Sequence, residues 1–496
     1  MIITLLSKIF GFGRDITLSY FYGASNISDA YLISRTIPTV LFGFIGTSLI
    51  TAYIPMLSKI ELSSSKEAGH KYTSNLINIL VVIIGLIFIL VFTFAEGLVN
   101  IFASGFQGDT LNIAVSFTRI SLMGMFFTVL VSIFSGYLQI KDNFITPAAM
   151  GLPLNGIIIV SIIASSKGNI FILPLGTLMA IAIQFIILMI SAKRQGYKHH
   201  LIFDFKDSRL KETLFIAIPV IIGVSVNQIN ILVDRTIAST ISVGGISALN
   251  YASRLNEFIQ ALFVMSIITV IYPSLSKMIT SNNIEGLKQT IKESISIIMI
   301  FVLPITVGSM IFANEFIEIL FGRGAFDVQA LNMTTSALFF YSMGMLGFGL
   351  REILSRGFYA LQDTKTPMKN AAIGMALNIF LNIVLSRYLG IGGLALATSI
   401  SATFTTFLLF INLRRKIGAF GMKQIVTSFM KIFIASISMG IIARFSFTYL
   451  ITKLGQTTSL ITAICIGATA YFIIILFLRI EDVDTFVKII KKKLNK

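Results

Sequence analysis

Apolar stretches of about 20 residues, each long enough to cross a hydrocarbon core of ~30 Å as one helix, recur along almost the whole chain. They fall near 2–22, 30–57, 75–95, 113–138, 145–166 and 169–191, then near 213–240, 247–274, 292–314, 331–356, 367–386 and 391–412, and finally near 427–449 and 457–479. The stretches are continuous rather than alternating, which excludes an outer-membrane barrel. Their many isoleucines turn helical because hydrocarbon offers a backbone no partner outside its own segment. Only 12% of the 496 residues are charged, about half the ~25% of a soluble domain. A cytosolic enzyme, a disordered chain and a disulfide scaffold are excluded, and Cys465 is the sole cysteine. The expected fold class is an all-α polytopic membrane protein of about 14 transmembrane helices. No cleavable signal peptide is visible, since the first stretch carries Lys8, Arg14 and Asp15. The chain begins almost inside that stretch, which leaves room for a start upstream.

The net charge of +17 would suit nucleic acid, but its distribution does not. With loops assigned alternately to two sides, one side holds Lys59, Lys66, Lys71, Lys193, Arg194, Lys198, Lys206, Arg209, Lys211, Arg414, Arg415, Lys416 and Lys491–Lys493. The other holds only Lys167, Arg323, Arg387 and Lys453. The positive-inside rule then places both termini in the cytoplasm. The basic tail at 480–496 is expected to meet anionic membrane lipids, with no nucleic acid as partner.

The chain repeats itself at an offset of about 219 residues. YIPMLSK at 53–59 answers IYPSLSK at 271–277, MGM recurs at 123–125 and 343–345, and GYLQIKDNFITP ending at Pro147 answers GFYALQDTKTP ending at Pro367. Copies with an even number of spans share one orientation. The expected organisation is an N-terminal lobe at 1–195 (helices 1–6), a C-terminal lobe at 213–412 (helices 7–12), and two extra helices at 427–479. The lobes are read as two pseudo-symmetric six-helix units around a central cationic cavity, an architecture suited to alternating access.

Charges inside spans cost about 2.5–3.5 kcal/mol or more and normally face a cavity or a partner. Here they are Lys8, Arg14 and Asp15 in the first span, Asp29 and Arg35 in the second, Asp234 and Arg235 in the seventh, and Arg254 and Glu257 in the eighth. Adjacent residues point ~100° apart, so Arg14–Asp15 and Asp234–Arg235 are not expected to pair comfortably, whereas Arg254 and Glu257 at i, i+3 are. Arg35 and Arg254 occupy corresponding places in the two copies. A cleft lined by these cations suits an anionic amphiphile such as a lipid-linked diphosphate, because guanidinium forks match phosphate oxygens. A hydrophobic-cation exporter would want the opposite sign. Asn378 and Asn382 at i, i+4, with Thr398, read first as interhelical amide bonding. Together with Asp234 they also supply oxygens for a small cation. Gly11, Gly13, Gly23 and Pro38 read as bends or close-packing points. His70, His199 and His200 read as residues of polar loops with no metal-like spacing. No Ser-His-Asp set, HExxH or P-loop is present, so no enzyme is expected. The outer loops, longest near 96–112 and 315–330, are too short for a lumenal active site. A membrane-bound polymerase or a scaffold for wall synthesis is the reading from another class.

SKIFGFGRD at 7–15, SDAYLISRTIP at 28–38, NYASRLNEF at 250–258 and GFYALQDTKTP at 357–367 resemble signature segments of the MurJ family of lipid II flippases. That family belongs to the MOP superfamily, with the MATE exporters and polysaccharide flippases. The resemblance runs in order from about residue 5 to the twelfth span. It implies fourteen helices, a central cationic cavity, two extra helices forming a lipid-facing groove, and a role in peptidoglycan and cell-wall biogenesis in the bacterial cytoplasmic membrane. The implied cargo is lipid II, undecaprenyl-diphosphate-linked disaccharide-pentapeptide, with the cell-wall synthesis machinery as a further partner. By position, the family's essential first-helix arginines fall on Lys8 and Arg14, followed by Asp15; its second-helix aspartate falls on Asp29, its fifth-helix asparagine on Asn155 and its eighth-helix arginine on Arg254. Glu257 and Asp15 join Asp29 as gating or charge-pair candidates. A sodium ion is the one implied cofactor, with ligands at Asp234, Asn378, Asn382, Thr398 and the Leu394 carbonyl. Three departures stand out: Lys8 replaces an arginine, Arg35 stands in for an arginine expected near Leu41 and Phe42, and Asn382 replaces a carboxylate. They keep open another polyprenyl-diphosphate oligosaccharide as cargo, with a MATE-type exporter as the more distant alternative.

Overall fold

The computed structural model describes residues 2–281 and 283–478, without the side chains of residues 2, 43–47, 219–227 and 270; the basic tail at 480–496 lies outside the described residues. All regular structure among them is helical. In chain order the helices are α1 (Ile2–Tyr22), α2 (Asn26–Pro38), α3 (Phe44–Ser63), α4 (Lys66–Thr93), α5 (Ala95–Phe102), α6 (Gly108–Leu122), α7 (Gly124–Ile140), α8 (Ile145–Ala149) and α9 (Gly151–Ser165). Then follow α10 (Ile172–Arg194), α11 (Ser208–Ile241), α12 (Gly245–Thr280), α13 (Ile284–Ile311), α14 (Ala313–Leu320), α15 (Val328–Ala360), α16 (Lys365–Ile417), α17 (Met422–Leu450) and α18 (Gln456–Phe477). Ten helical stretches among the described residues are long and apolar enough to cross a membrane. Phe215, Tyr388, Phe445 and Phe477 are between 74% and 83% exposed, which lipid tolerates and water does not.

The chain divides into two compact units. The first comprises Met1–Ser247 with Arg323–Ala330, the second Ala248–Gly322 with Leu331–Lys496. Packing thus groups α11 with the first unit, a criterion distinct from the sequence repeat. The core of the first unit gathers Tyr53, Tyr72, Leu76, Tyr137 and Tyr197 between α3, α4, α7 and the segment after α10. That of the second gathers Ile291, Ile295, Ile298, Leu354, Phe358 and Leu409. Ile432, Tyr471 and Ile475 bring α17 and α18 into the second core, and the Tyr471 hydroxyl donates to the Ile300 carbonyl at 2.6 Å. Arg444 of α17 donates to the buried Glu315 of α14.

Local chemistry revises several sequence expectations. The apolar run at 30–57 is not one regular helix: a π turn at Thr39–Gly43 follows Pro38, where the missing proline N–H already interrupts the ladder. The outer segments read as loops contain the short helices α5 and α14. His70 lies within α4, its Nε2 3.2 Å from the Tyr137 hydroxyl, rather than in a loop. Conversely, α16 has 53 residues and would run ~80 Å if straight, far beyond a bilayer. Gly390, at φ 55° and ψ −132°, breaks it where two spans are expected.

The repeat reappears in backbone geometry. Asp142 and Gln362 both take positive φ, 59° and 57°. Three residues before each corresponding proline bond partner, Asn143 and Asp363 occupy equal places: Thr146 N–H donates to Asn143 Oδ1 at 3.1 Å and Thr366 N–H to Asp363 Oδ1 at 3.0 Å. The second copy adds an ion pair, Lys416 Nζ to Asp363 Oδ2 at 2.6 Å.

Two outcomes follow. Gly390→Ala places a Cβ in a backbone region L-residues avoid and should cost ~1–3 kcal/mol, read as a lower thermal-unfolding midpoint of the detergent-purified protein. The Lys416 ammonium, then the Thr366 N–H, hold the Asp363 carboxyl down to about 2. Because an unfolded aspartate titrates near ~3.9, this contribution is complete above that pH and is lost as pH falls toward about 2. Unfolding midpoints across that window should show a drop that Asp363→Asn removes.

Candidate functional site

The first unit holds Lys8, Arg14, Asp15, Asp29, Arg35, Asn155 and Asp234; the second holds Arg254, Glu257, Asn378, Asn382, Leu394 and Thr398. On α1, Arg14 and Asp15 are 8% and 1% exposed. The expectation that these neighbours do not pair is wrong. The guanidinium donates from Nε to Asp15 Oδ1 at 3.1 Å and from Nη2 to both carboxylate oxygens at 2.9 and 3.1 Å. An arginine stem is long enough to swing its head through the ~100° between adjacent positions, and burial in an apolar setting rewards the closed fork. Nη1 reaches Asn155 Oδ1 on α9 at 3.1 Å. The Asn155 amide is itself anchored, its Nδ2 donating to the Gly151 carbonyl at 2.8 Å. Gly11 faces the same amide, and a Cβ there would meet the Asn155 amide nitrogen at 3.5 Å, an ordinary contact. Lys8 is exposed.

Arg35 on α2 is half-buried, its guanidinium 5.5 Å from the centre of the Tyr31 ring. It lines a cavity of about 250 Å³ within the first unit, with Thr39, Ser121, Thr128 and Gln184 as polar neighbours. Leu41 is half-buried and Phe42 buried, so no cation stands at those places.

Asp29 has a role that charge counting missed. It is 1% exposed and sits against the start of α12. Its Oδ2 accepts from Gly244 N–H at 2.9 Å, and its Oδ1 from Ser247 N–H at 2.8 Å and Ser247 Oγ at 2.5 Å. A carboxylate borrowed from α2 therefore caps the N-terminus of α12, where first-turn N–H groups have no partner within the helix. Ser247 Oγ also lies 2.9 Å from Ser28 Oγ, and these two residues are 219 apart. The same end is closed by tight backbone approaches. Gly23 and Gly244 take φ of +58° and +78°, and a Cβ on either would lie 2.3 Å from the Ala325 carbonyl oxygen or 2.2 Å from that of Ala24. Ala325 N–H donates to the Tyr20 carbonyl at 2.8 Å. Backbone amides carry no residue signature, so only the recurrence of a serine at 28 and 247, each opening a helix, hinted at this junction.

In the second unit Arg254 Nη1 and Glu257 Oε2 pair at 2.7 Å, as their i, i+3 spacing predicts. Asn378 Nδ2 donates to Thr398 Oγ1 at 3.2 Å, Asn382 Nδ2 to Asn378 Oδ1 at 2.9 Å, and Thr398 Oγ1 to the Leu394 carbonyl at 2.9 Å. The interhelical amide reading is thus realised. The same atoms form a set of neutral oxygens whose chemistry fits a hard monovalent cation. Asp234, on α11, belongs to the first unit, and its neighbour Arg235 donates to the Ile246 carbonyl at 2.8 Å. Among the described residues no three His, Cys, Asp or Glu side chains converge to hold a metal ion.

Comparison with known proteins supplies an independent line. The family model for lipid II flippase MurJ matches residues 18–466. A probable lipid II flippase MurJ of Buchnera aphidicola (subspecies Baizongia pistaciae) is 30% identical over 418 residues, which is 83% of this chain and 82% of that protein. The lipid II flippase MurJ of Burkholderia cenocepacia is 27% identical over 423 residues, 83% of this chain and 82% of its own. A solved structure of lipid II flippase MurJ in an inward closed conformation superposes with a TM-score of 0.83 at 28% identity, covering 96% of this chain and 98% of that one. An inward-facing MATE-family multidrug transporter of the MOP superfamily shares the fold, with a TM-score of 0.73 at 15% identity over 84% of this chain and 95% of its own.

Replacing Asp29 by alanine leaves the Gly244 and Ser247 N–H groups without their buried acceptor and should cost ~1–3 kcal/mol. Asp29→Asn keeps one acceptor oxygen and should cost less. Thermal unfolding of the two purified variants against the parent chain checks the order.

Proposed function

The chain belongs to the lipid II flippase MurJ family, and on that footing we propose that it carries lipid II from the inner to the outer leaflet of the bacterial cytoplasmic membrane by alternating access. It is a multi-pass membrane protein. Both termini then lie in the cytoplasm, on the side to which the basic loops belong. The observation that carries the reading is family membership joined to guanidinium groups set within helices, Arg14, Arg35 and Arg254. Such groups are retained against a cost of about 2.5–3.5 kcal/mol only where they serve a pathway or a partner.

In the first unit Arg14 and Arg35, with Lys8, and in the second unit Arg254, each taken by itself, present donors to a diphosphate, and its oxygens match the planar guanidinium fork. The fork of Arg14 is held by Asp15 and Asn155, so a diphosphate takes it by displacing those acceptors from N–H donors already oriented. Glu257 plays the same holding role for Arg254. Asp29 acts as the latch: opening the end of the first unit where α12 begins requires its carboxylate to release Gly244 and Ser247. Within the second unit, Asn378, Asn382, Thr398 and the Leu394 carbonyl would hold a sodium ion, which supplies a mobile positive charge that responds to the membrane potential. The chemistry is transport rather than catalysis. The cell-wall synthesis machinery delivers and consumes the cargo. Apolar Phe42 and Leu41 in place of a cation favour a second reading, a flippase for another polyprenyl-diphosphate oligosaccharide.

The test is lipid II exposure in cells lacking their own flippase and expressing this chain, with an added enzyme that cleaves only outer-leaflet lipid II. Cleavage should return with the parent chain and fall at least about tenfold with Arg254→Ala, the loss of one charge-assisted contact of ~1.4 kcal/mol or more. A chain that reaches the membrane without restoring cleavage would overturn lipid II as cargo in favour of the second reading.

A further inference from the structure

The segment joining α10 to α11, residues 195–207, is not a loose tether. Asn75 and Asn78 of α4 grip its backbone: Asn75 donates to the Asp204 carbonyl at 2.9 Å and accepts from Asp204 N–H at 2.7 Å, while Asn78 donates to the His200 and Ile202 carbonyls at 3.0 and 2.9 Å. His200 N–H adds a bond to Ser74 Oγ at 3.0 Å. This grip sits where the long apolar run of α4 begins, at Leu76, and so at the depth of a membrane interface rather than out in water.

Pinned there, the segment presents three large apolar side chains outward. Leu201, Phe203 and Phe205 are 84%, 55% and 57% exposed, whereas Ile202 between them is half-buried. Around them the stretch from Lys193 to Lys211 carries six cations, Lys193, Arg194, Lys198, Lys206, Arg209 and Lys211, against two carboxylates, Asp204 and Asp207. Both carboxylates accept from nearby backbone, Asp204 from Lys206 N–H at 2.8 Å and Asp207 from Arg209 N–H at 2.9 Å. Immediately beyond, α11 exposes Phe215 by 77%, the apolar face of a helix entering hydrocarbon.

We infer that residues 198–206 form a membrane-interface anchor, in which Leu201, Phe203 and Phe205 insert among acyl chains while Lys198 and Lys206 bind anionic phospholipid headgroups. Apolar side chains flanked by lysines on a rigid backbone match the boundary between headgroups and chains, and each basic residue near an anionic surface adds attraction that a zwitterionic surface withholds. The anchor would tie the connection between α10 and α11, through α4, to the plane of the charged leaflet. A soluble protein partner on the same apolar face is the competing occupant.

The chain contains no tryptophan, so Phe203→Trp gives a single fluorescent reporter in the otherwise full-length protein. The variant is reconstituted into vesicles of phosphatidylcholine alone and of phosphatidylcholine with phosphatidylglycerol. With phosphatidylglycerol present, the indole emission should shift to the blue, be quenched more by lipids brominated near the headgroup than near the chain end, and be shielded from aqueous iodide. Adding Lys198→Gln and Lys206→Gln should weaken the dependence on phosphatidylglycerol. Leu201→Trp provides a second reporter if Phe203→Trp does not fold. Emission that stays red and open to iodide in both compositions would overturn the anchor and leave the face to a protein. Equal quenching in both compositions would overturn the anionic-headgroup assignment.

Discussion

Inside hydrocarbon a backbone N–H has nowhere to turn but the chain itself, and most of this structure follows from that single restriction. It makes helices of isoleucine-rich runs, and it also dictates what happens where a helix stops inside the protein. The start of α12 is such a place. Its first amides cannot reach water, and the carboxylate of Asp29 on another helix supplies the missing acceptor. The same demand explains why Arg14 folds back on its own neighbour. A donor-rich head buried among apolar helices takes the nearest carboxylate, whatever the helical wheel suggests about direction.

The polar groups accordingly do two kinds of work. Some are welds: Asn75 and Asn78 replace a missing strand partner for the segment after α10, and Arg444 with Glu315 joins α17 to α14. Others are held in reserve. Arg14 and Arg254 each have a carboxylate that keeps the guanidinium oriented and neutralised, which is the arrangement the proposed phosphate-binding role requires. A resting counter-ion lowers the cost of keeping a cation in the membrane and raises the threshold for releasing it.

Much of this architecture was legible in the sequence because its signals are long or duplicated. Apolar runs of span length, the paired motifs ending at Pro147 and Pro367, and the i, i+3 spacing of Arg254 and Glu257 each identify a structural feature. What escaped notice was short or carried by backbone. Helices α5 and α14 have 8 residues each, too few to stand out between spans. The π turn after Pro38 changes the ladder without changing composition. Asn75 and Asn78 resemble any amide in an apolar window, because the loop they bind is more than 100 residues away in the chain. His70 lies where α4 extends beyond its apolar part, a polar overhang that hydropathy alone assigns to loop.

The contact between Ser28 and Ser247 has a consequence for how such a chain arises. Residues at equal places in two repeats touch one another here, as identical residues do at the centre of a self-complementary dimer. Two identical subunits would have to put the same acid on each side of that contact, and paired carboxylates a few ångströms apart repel or must share a proton. In this chain the first copy has Asp29 and the second has Ala248 in the matching place. Copies joined in one polypeptide have no obligation to be alike, and this junction is a lock with a bolt on one side only.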